Sequence, residues 1–354
     1  MDTVSIVRAV ARHVCGTAPR ECVFSSRVRI ARNIRATPFP HRGDEGALRG
    51  PLAVAIAAME GLNKAGGGFE LVDLARLPTL EKEALVECHL ISRDLLLAER
   101  VSALVVSKKS GASILVNEED HFRIQVLSGG LRLKRALALA KRIERELDQH
   151  TTFAKHDGLG FLTACPTNVG TGLRASVMLQ LPALFFARRL ETCLQRRVGR
   201  ALAVRGIYGE GSGPLACLLQ ISNQTTAGMD EAEALAQVTK AAQDISRDEQ
   251  RARASIQERF AWDVEDLVYR AAATLTAARS INSGEAMDRL SQVRLGIDLG
   301  LLDGVDRRIV DQLMIFIRPA SLQVLVGEPM APRERDMRRA KLIREHLQGL
   351  IEVP

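Results

Sequence analysis

Four short segments concentrate the residues of this chain that could do chemistry. They are residues 25–33 (SSRVRIARN), 117–123 (NEEDHFR), 165–176 (CPTNVGTGLRAS) and 205–213 (RGIYGEGSG). Guanidinium groups bind phosphate oxygens through paired hydrogen bonds, and carboxylates hold a cation or accept its proton. The inventory therefore suits phosphoryl transfer from ATP to a cationic acceptor, where catalysis is mainly alignment and electrostatic stabilisation. The segments supply five arginines, three carboxylates and a thiol: Arg27, Arg29, Arg123, Arg174, Arg205, Glu118, Glu119, Glu210 and Cys165.

Each segment also has a simpler interpretation. Strand alternation places Arg27 and Arg29 on one face, which fits a bound polyanion but also a solvated edge strand. Adjacent carboxylates at 118–120 are typical of a turn facing water; alternatively, one of them orients a cationic substrate or takes its proton. Cys165 precedes a proline and a polar turn that could stabilise a thiolate, although a single cysteine is usually a small buried apolar residue.

The glycine-bearing segments do not match the standard phosphate-binding loops. Neither residues 170–172 nor residues 205–213 satisfy the P-loop pattern or the Rossmann layout. A glycine-rich loop that carries an arginine and a carboxylate is nevertheless flexible enough to close over a ligand.

Composition narrows the class of protein. With 354 residues and 46% apolar side chains, the chain can form two or three globular domains. No stretch approaches the roughly 18 apolar residues of a membrane helix, and the first residues lack the apolar core of a signal peptide. We therefore expect a cytoplasmic protein without membrane contact. Six dispersed cysteines without a CxxC pair argue against a zinc site or a disulfide framework.

The positive charge is confined to the first part of the chain. Residues 1–240 carry 32 Lys and Arg against 24 Asp and Glu, whereas residues 241–354 carry 17 against 18. Arginine supplies 40 of the 49 cations, and its planar fork suits phosphates and carboxylates. Because aromatic residues make up only 4%, base-stacking surfaces are not expected. An anionic small molecule is the favoured partner over nucleic acid.

The pattern of apolar residues predicts two kinds of structure in succession. Short apolar or β-branched runs predict strands at 101–106, 114–116, 122–127, 161–164, 201–204 and 215–221. Helical spacing predicts one helix after Gly130, with Ala136, Ala140, Ile143 and Leu147 on its buried face, and another at 182–198. From Asp230 onward the pattern is almost entirely helical, with breaks at 283–284, 300–304 and 327–332. We predict an α+β domain at 22–252, a smaller all-helical domain at 253–354 and a short helical segment at 1–21.

The four segments, in this order, resemble the motifs of the phosphagen kinase family of creatine and arginine kinases. The matching residues are SSRVRIARN, NEEDHFRIQ, CPTNVGTGLRASV and RGIYGEGS, and the resemblance covers about residues 22–252. Further along the chain, VECHLIS at 86–92, VRLGIDLG at 293–300 and RDMRRA at 335–340 resemble the bacterial protein-arginine kinase branch of that family.

The resemblance implies a fold and an activity. The expected catalytic domain is an antiparallel sheet flanked by helices, as in glutamine synthetase, followed by a helical regulatory domain. The expected activity is ATP-dependent phosphorylation of arginine, with Mg²⁺ carried by the nucleotide and no metal site built by the protein. Only about 20 residues precede the first motif, in the place where the small-metabolite kinases carry a further helical domain. By analogy, the acceptor is a protein arginine.

The family's site residues map onto this sequence by motif. The acceptor side would use Glu119, Glu210 and Cys165, supported by Glu118. The nucleotide side would use Ser25, Ser26, Arg27, Val28, Arg29, His89, Arg123, Arg174, Ala175, Ser176, Val177, Met178, Arg205, Gly206, Ile207, Tyr208, Gly209 and Glu210. One departure concerns the last motif, where Gly213-Pro214 replaces the acidic residue usual after GEGS. This leaves the loop geometry and the choice of protein substrate open.

The branch also implies regulation and partners. Its RDxxRA motif binds phosphoarginine away from the catalytic centre, and here it would comprise Arg335, Asp336, Met337, Arg338, Arg339 and Ala340; without the resemblance, these residues would be the charged face of a terminal helix. The implied partners are protein substrates with exposed arginines, including a heat-shock transcriptional repressor, the Clp ATPase and protease, a zinc-binding activator protein and a second copy of the chain. Three alternatives remain: a kinase for free arginine or another guanidino metabolite, a silent phosphoarginine-binding adaptor, and a basic nucleic-acid binder.

Overall fold

An eight-stranded antiparallel sheet occupies the centre of the first part of the chain. The structure is a computed structural model that describes residues 2–15, 21–199, 201–206, 215–226 and 228–347. The strand order is β2-β3-β4-β5-β1-β8-β10-β9, and β6 and β7 form a separate hairpin. The strands are β1 (Val23–Arg32), β2 (Phe69–Asp73), β3 (Ala103–Ser107), β4 (Ala112–Val116), β5 (Phe122–Gly129), β6 (Lys155–His156), β7 (Gly160–Phe161), β8 (Leu173–Gln180), β9 (Leu202–Gly206) and β10 (Leu218–Asn223).

Helices cover one face of the sheet because one set of alternating strand residues is apolar. On β1, Val28 and Ile30 are fully buried and lie opposite Val126 and Ile124 of β5. Helices α4 (Leu133–Asp148) and α7 (Glu231–Arg259) pack on this face, and α2 (Glu45–Lys64) packs beside α4. The prediction of an amphipathic helix after Gly130 is confirmed, since Ala136, Ala140, Ile143 and Leu147 are the buried residues of α4.

Two sequence predictions of local structure were wrong. Residues 182–198 form two helices, α5 (Pro182–Phe186) and α6 (Leu190–Arg197), rather than one. The interruption lies at Arg188, whose φ of 55° is left-handed and ends the first helix. Residues 161–164 are also not a continuous strand, because β7 ends at Phe161 and the chain then turns toward Cys165.

The rest of the chain is helical, as predicted. Asp230 caps the start of α7, and its carboxylate accepts the N–H of Glu233. The helix then runs through residue 252 without a break. It is followed by α8 (Ala261–Ala277), α9 (Ser283–Leu299), α10 (Arg307–Phe316), α11 (Pro319–Val326) and α12 (Pro332–His346).

These C-terminal helices pack against the sheet-bearing part. α1 (Thr3–Val14) contacts α10, and α3 (Thr79–Glu87) contacts α11. A buried ion pair between Arg294 and Asp311 (Nε to Oδ1, 2.7 Å) lies at the junction, and Arg294 also donates to Gln180 at the end of β8. In the described part of the chain, no single helix has the length and apolar character needed to cross a membrane; only α10 and α11 taken together, bent by 95°, pass that test.

Candidate active site

The register of the sheet gathers the predicted arginines. Arg29 on β1 lies directly opposite Arg174 on β8, and Arg27 lies opposite Ser176. Side chains alternate along each strand, so residues in register on neighbouring strands share a face. The face away from α4 and α7 therefore carries all five predicted arginines, Arg27, Arg29, Arg123, Arg174 and Arg205.

A cleft of about 230 Å³ opens on this face. It brings four of the arginines together with a predicted catalytic carboxylate and the predicted catalytic cysteine. The side chains around the cleft are those of Arg29, Glu119, Arg123, Cys165, Arg174 and Arg205, together with Ala31, Thr167, Asn168 and Gly172.

Neutral side chains from the neighbouring strands orient two of the arginines. Arg27 donates from Nη2 to Gln220 Oε1 at 2.7 Å and from Nε to Ser176 Oγ at 3.4 Å. Arg174 donates from Nη2 to Ser222 Oγ at 3.2 Å. These amide and hydroxyl partners fix the guanidinium planes without cancelling their charge.

The arginines repel one another. Burial, followed by the charges of Arg174, Arg123 and Arg205, lowers the pKa of Arg27 to about 10. Burial and then the charge of Arg27 also lower the pKa of Arg29 well below its ordinary value. Positive groups held this close together favour a polyanion that accepts hydrogen bonds from several of them at once. The residues present therefore fit a nucleotide polyphosphate.

The two glutamates of the β4–β5 turn both bind Arg123 but differ in exposure. Glu118 is buried and forms an ion pair with Arg123. Glu119 lies 2.9 Å from Arg123 (Oε1 to Nη2), and 42% of its side chain remains exposed. Burial alone would lower the pKa of Arg123, but the two carboxylates outweigh it and raise this pKa. Glu118 thus anchors Arg123, whereas Glu119 keeps a surface that faces the cleft.

Cys165 also lines the cleft. Its Sγ is 3.1 Å from Thr167 Oγ1, and its carbonyl accepts the Thr163 hydroxyl at 2.8 Å. Cys165 is only partly buried, and of the six cysteines it alone lines the cleft as described.

Asp120 and Asn33, to which the sequence analysis assigned no role, form a buried pair that ties the segment of Glu119 to the segment of Cys165. Asp120 Oδ1 accepts hydrogen bonds from Asn33 Nδ2 (2.6 Å) and from the N–H of Ala164 (2.7 Å). Asn33 in turn accepts the N–H of His121 at 2.9 Å and donates to the Leu162 carbonyl at 3.1 Å. Asn33 ends the motif at 25–33, and Asp120 lies inside the motif at 117–123. Their place in these motifs was the only feature of the sequence that pointed to them.

Not every predicted nucleotide residue faces the cleft. Ser26 is fully buried on the helix-covered face, where its hydroxyl donates to the Gly130 carbonyl at 2.7 Å and accepts the N–H of Arg132 at 2.9 Å. Val28, Ala175 and Val177 are also fully buried on that face, so their side chains do not reach the cleft.

Other predicted residues lie around a second cavity, away from the cleft. Ser25, His89 and Met178 line this cavity of about 40 Å³. Gly206 is buried at the end of β9. The predicted residues Ile207, Tyr208, Gly209 and Glu210, and the unusual Gly213-Pro214, lie outside the described residues.

The RDMRRA segment lies on the last helix, α12, and its side chains point in different directions. Arg339 is almost fully buried and donates to the backbone carbonyls of Ile317 (2.7 Å) and Ile281 (2.9 Å), besides pairing with Asp336. Ala340 is buried, Arg335 and Asp336 are half-buried, and Met337 and Arg338 are exposed.

Comparison with known proteins places this arrangement in a family. Residues 53–252 match the model of the ATP:guanido phosphotransferase C-terminal catalytic domain, and residues 261–353 match the protein-arginine kinase McsB C-terminal domain. The chain therefore belongs to the ATP:guanido phosphotransferase family, whose members are phosphagen kinases, in its protein-arginine kinase branch. It is an enzyme that transfers a phosphoryl group to a guanidino acceptor, and the family predicted from the motifs is confirmed.

Individual relatives and structures agree with this assignment. A protein-arginine kinase from Symbiobacterium thermophilum is 43% identical over 347 residues, which cover 97% of this chain and 98% of that protein. A lombricine kinase structure has a TM-score of 0.58 at 23% identity, over 70% of this chain and 72% of that one. The duplicated taurocyamine kinase of Schistosoma mansoni has a TM-score of 0.57 at 24% identity, over 67% of this chain but only 34% of the longer one. The two structures confirm the predicted phosphagen-kinase fold.

Proposed function

We propose that this chain transfers the γ-phosphoryl group of ATP to the guanidino group of arginine side chains in proteins. The observation that carries the proposal is the single cleft in which Arg29, Arg123, Arg174 and Arg205 face Glu119 and Cys165. One wall suits a polyphosphate and the other suits a cation, which are the two substrates that such a reaction must bring together.

On the nucleotide side, the chain's own residues would bind and align the phosphates. Arg27 and Arg174 are already oriented by Gln220 and Ser222, so little side-chain entropy is lost when an anion arrives. Mg²⁺ would reach the cleft with the nucleotide and would neutralise developing charge on its oxygens.

On the acceptor side, the reaction requires removal of a proton. A guanidino nitrogen attacks the γ-phosphorus, a P–N bond forms, the bond from phosphorus to the β–γ bridging oxygen breaks, and ADP leaves. Glu119 is the described carboxylate placed to hold the acceptor guanidinium and to accept the proton lost by its nitrogen. From the resemblance of the RGIYGEGS motif, we assign Glu210, which lies outside the described residues, the role of a second acceptor-side carboxylate. Cys165, which lines the same cleft, would also contact the acceptor.

The choice of a protein acceptor rests on the relatives. The curated relatives that match almost the whole chain carry the name protein-arginine kinase, and the C-terminal helices match the domain named for that enzyme. The same resemblance supports wider proposals, namely marking of proteins for Clp degradation, inactivation of a heat-shock repressor, need for a zinc-binding activator, a homodimer and a cytoplasmic location.

Phosphoarginine binding by the RDMRRA segment is part of this proposal. Since the Arg339 guanidinium is committed to two backbone carbonyls and Asp336, a phosphate would meet Arg335 and Arg338 first. Titration calorimetry with phosphoarginine should detect binding that Arg335→Ala weakens.

The product identifies the function. The purified chain should be incubated with MgATP and casein, and in a parallel reaction with free L-arginine. We expect acid-labile phosphate on arginine, detected by mass spectrometry without an acidic step, and faster transfer to casein than to the free amino acid. Faster transfer to free arginine would identify a metabolite kinase, and acid-stable phosphoserine alone would refute the proposal.

A further inference from the structure

Glu87, the last residue of α3, clamps the beginning of α11. Its carboxylate accepts hydrogen bonds from the N–H groups of Ala320 (2.9 Å) and Ser321 (2.7 Å) and from the Ser321 hydroxyl (2.7 Å). The first N–H groups of a helix have no partner within the helix, and the helix dipole favours a negative charge there. These three bonds therefore hold the C-terminal helices to the end of α3.

Arg318, the residue before α11, makes a second contact with the end of α3. This buried side chain donates from Nη1 to the backbone carbonyl of Glu87 and from Nε to the carbonyl of Met314 at 3.2 Å. The side chain of Glu87 thus binds α11, while its main chain binds the residue that precedes α11. Movement of the α10–α11 corner would break both connections.

His89 follows two residues later in an uncommon conformation. Its φ of 57° is left-handed, which few residues other than glycine adopt without support. Its N–H donates to the Val86 carbonyl at 2.9 Å, and its carbonyl accepts Gln125 Nε2 at 2.8 Å. Because Gln125 lies on β5 two residues from Arg123, His89 is fixed between the clamped end of α3 and the arginine-bearing face of the sheet.

The cavity of about 40 Å³ brings the clamp next to predicted nucleotide residues. It is lined by Ser25, Met178 and His89 and also by Glu87, Met314 and Arg318. The C-terminal helices therefore form part of the wall behind the predicted nucleotide residues. Burial, and then the charges of Arg318, Arg27 and Arg29, lower the pKa of His89. His89 is therefore close enough to the C-terminal helices and to the β1 arginines to be affected by the charges of both.

We propose that Glu87, Arg318 and Ser321 are positioning residues for the nucleotide site. By clamping α11 to the end of α3 they hold His89 against the arginine-bearing face, so that ATP affinity depends on docking of the C-terminal helices. The inference rests on the proposed function for the role of His89 as a nucleotide neighbour.

The test separates ATP affinity from general stability. Glu87→Ala removes all three bonds to α11, Ser321→Ala removes the hydroxyl bond, and Ser321→Thr restores a hydroxyl. The matched control is Asp230→Ala, which removes the helix-capping carboxylate of α7 and touches none of these residues. KM for ATP and kcat are measured with casein, the dissociation constant of MgADP by calorimetry, and the unfolding temperature by circular dichroism.

We expect Glu87→Ala to raise KM for ATP and the MgADP dissociation constant about 5-fold or more, with kcat changed less than about 2-fold. Ser321→Ala should raise both quantities by less, whereas Ser321→Thr, which retains a hydroxyl, should leave them near the wild-type values. Asp230→Ala should lower the unfolding temperature only. If Glu87→Ala does not fold, the nucleotide affinities of Ser321→Ala and Ser321→Thr test the inference instead. Unchanged nucleotide affinity in folded clamp variants would overturn the inference.

The wild-type measurements distinguish this inference from the proposed function. A wild-type chain that binds MgADP without phosphorylating arginine would refute the proposed function and leave the clamp testable by calorimetry. A wild-type chain that binds no nucleotide would overturn both.

Discussion

Asp120 and Ala164 are joined by a hydrogen bond between two chain segments that line the cleft. Asp120 Oδ1 accepts the backbone N–H of Ala164 at 2.7 Å, and Ala164 directly precedes Cys165. Glu119 directly precedes Asp120, so one buried side chain ties the segment of the proposed catalytic carboxylate to the segment of the thiol. The same Oδ1 is braced by Asn33 at 2.6 Å.

Asp120→Ala should reduce kcat roughly 10–100-fold while leaving MgADP affinity unchanged, because a displacement of about 1 Å at a reacting group costs this much. Asp120→Asn is the matched control, since its Oδ1 can accept both hydrogen bonds and Asp120 Oδ2 has no hydrogen-bond partner among the described residues. We expect the asparagine variant to retain most of the activity. Steady-state kinetics and calorimetry check this, and equal losses in both variants would show that the negative charge matters rather than the position.

The buried charge of Asp120 should appear in the pH dependence of stability. Burial raises the pKa of Asp120, so the folded chain binds its proton more tightly than the unfolded chain does. The resulting penalty is present above the folded pKa and disappears as the pH falls through it. The stability gained by Asp120→Asn, measured as the difference in unfolding free energy from urea titrations, should therefore be larger at pH 7 than at pH 4.

Arg27→Gln should stabilise the chain without ligand and weaken ATP binding. Burial and then the charges of Arg174, Arg123 and Arg205 lower the pKa of Arg27 to about 10, and removal of this guanidinium relieves both costs. A base whose pKa is lowered by folding costs stability at every pH below the folded value, so the relief is complete at pH 7.

The unfolding temperature of the Arg27→Gln variant without ligand should rise, whereas its increase on adding MgATP should be smaller than that of the wild type. Arg49, an exposed arginine paired with the exposed Glu45, provides the control, and Arg49→Gln should change neither quantity. A lower unfolding temperature without ligand would show that the bonds to Gln220 and Ser176 outweigh the repulsion.

The motifs were sufficient to predict the family, the resemblance to that family implied the antiparallel sheet, and strand alternation placed Arg27 and Arg29 on one face. The same alternation sends Ser26, Val28, Ala175 and Val177 to the helix-covered face, but the family motif was carried over as consecutive residues and did not separate the two sets. The sequence also could not assign Asp120 or Glu87, whose partners at Ala164 and Ser321 are distant along the chain. Contacts of this kind follow from topology rather than from local pattern.

Glu118→Gln and Glu119→Gln should change different kinetic constants. Glu118 is buried against Arg123, so Glu118→Gln should weaken the anchoring of that arginine and raise KM for ATP. Glu119 faces the cleft, so Glu119→Gln should lower kcat roughly 10²–10⁴-fold, as expected for loss of a proton acceptor, with MgADP affinity retained. Full kinetics of both variants at saturating casein separate the two roles. A reversed pattern would exchange the assignments.

Cys165 should be the first cysteine to react with iodoacetamide at pH 8. Burial raises the pKa of Cys22 and Cys193 to about 11 and that of Cys88 and Cys217 to about 12, and it also raises the pKa of Cys15. Thiols with a raised pKa remain protonated and unreactive until the pH is much higher. Peptide mapping after brief alkylation should find the label at Cys165, and MgATP with casein should slow its incorporation. Early labelling at Cys217 would indicate local opening near β10.

Arg338 and Arg339, adjacent on α12, should differ greatly in their contribution to stability. Arg339→Ala leaves the carbonyls of Ile317 and Ile281 without their buried donor, at a cost of about 2–5 kcal/mol in unfolding free energy. Arg338 is exposed, so Arg338→Ala should change that energy by less than about 0.5 kcal/mol. Urea titrations of both variants measure the difference directly. Because Ile317 precedes Arg318, loss of Arg339 should also loosen the clamp on Glu87 and raise KM for ATP, which Arg338→Ala should leave unchanged. An Arg339→Ala variant with wild-type stability would contradict the buried geometry of this side chain.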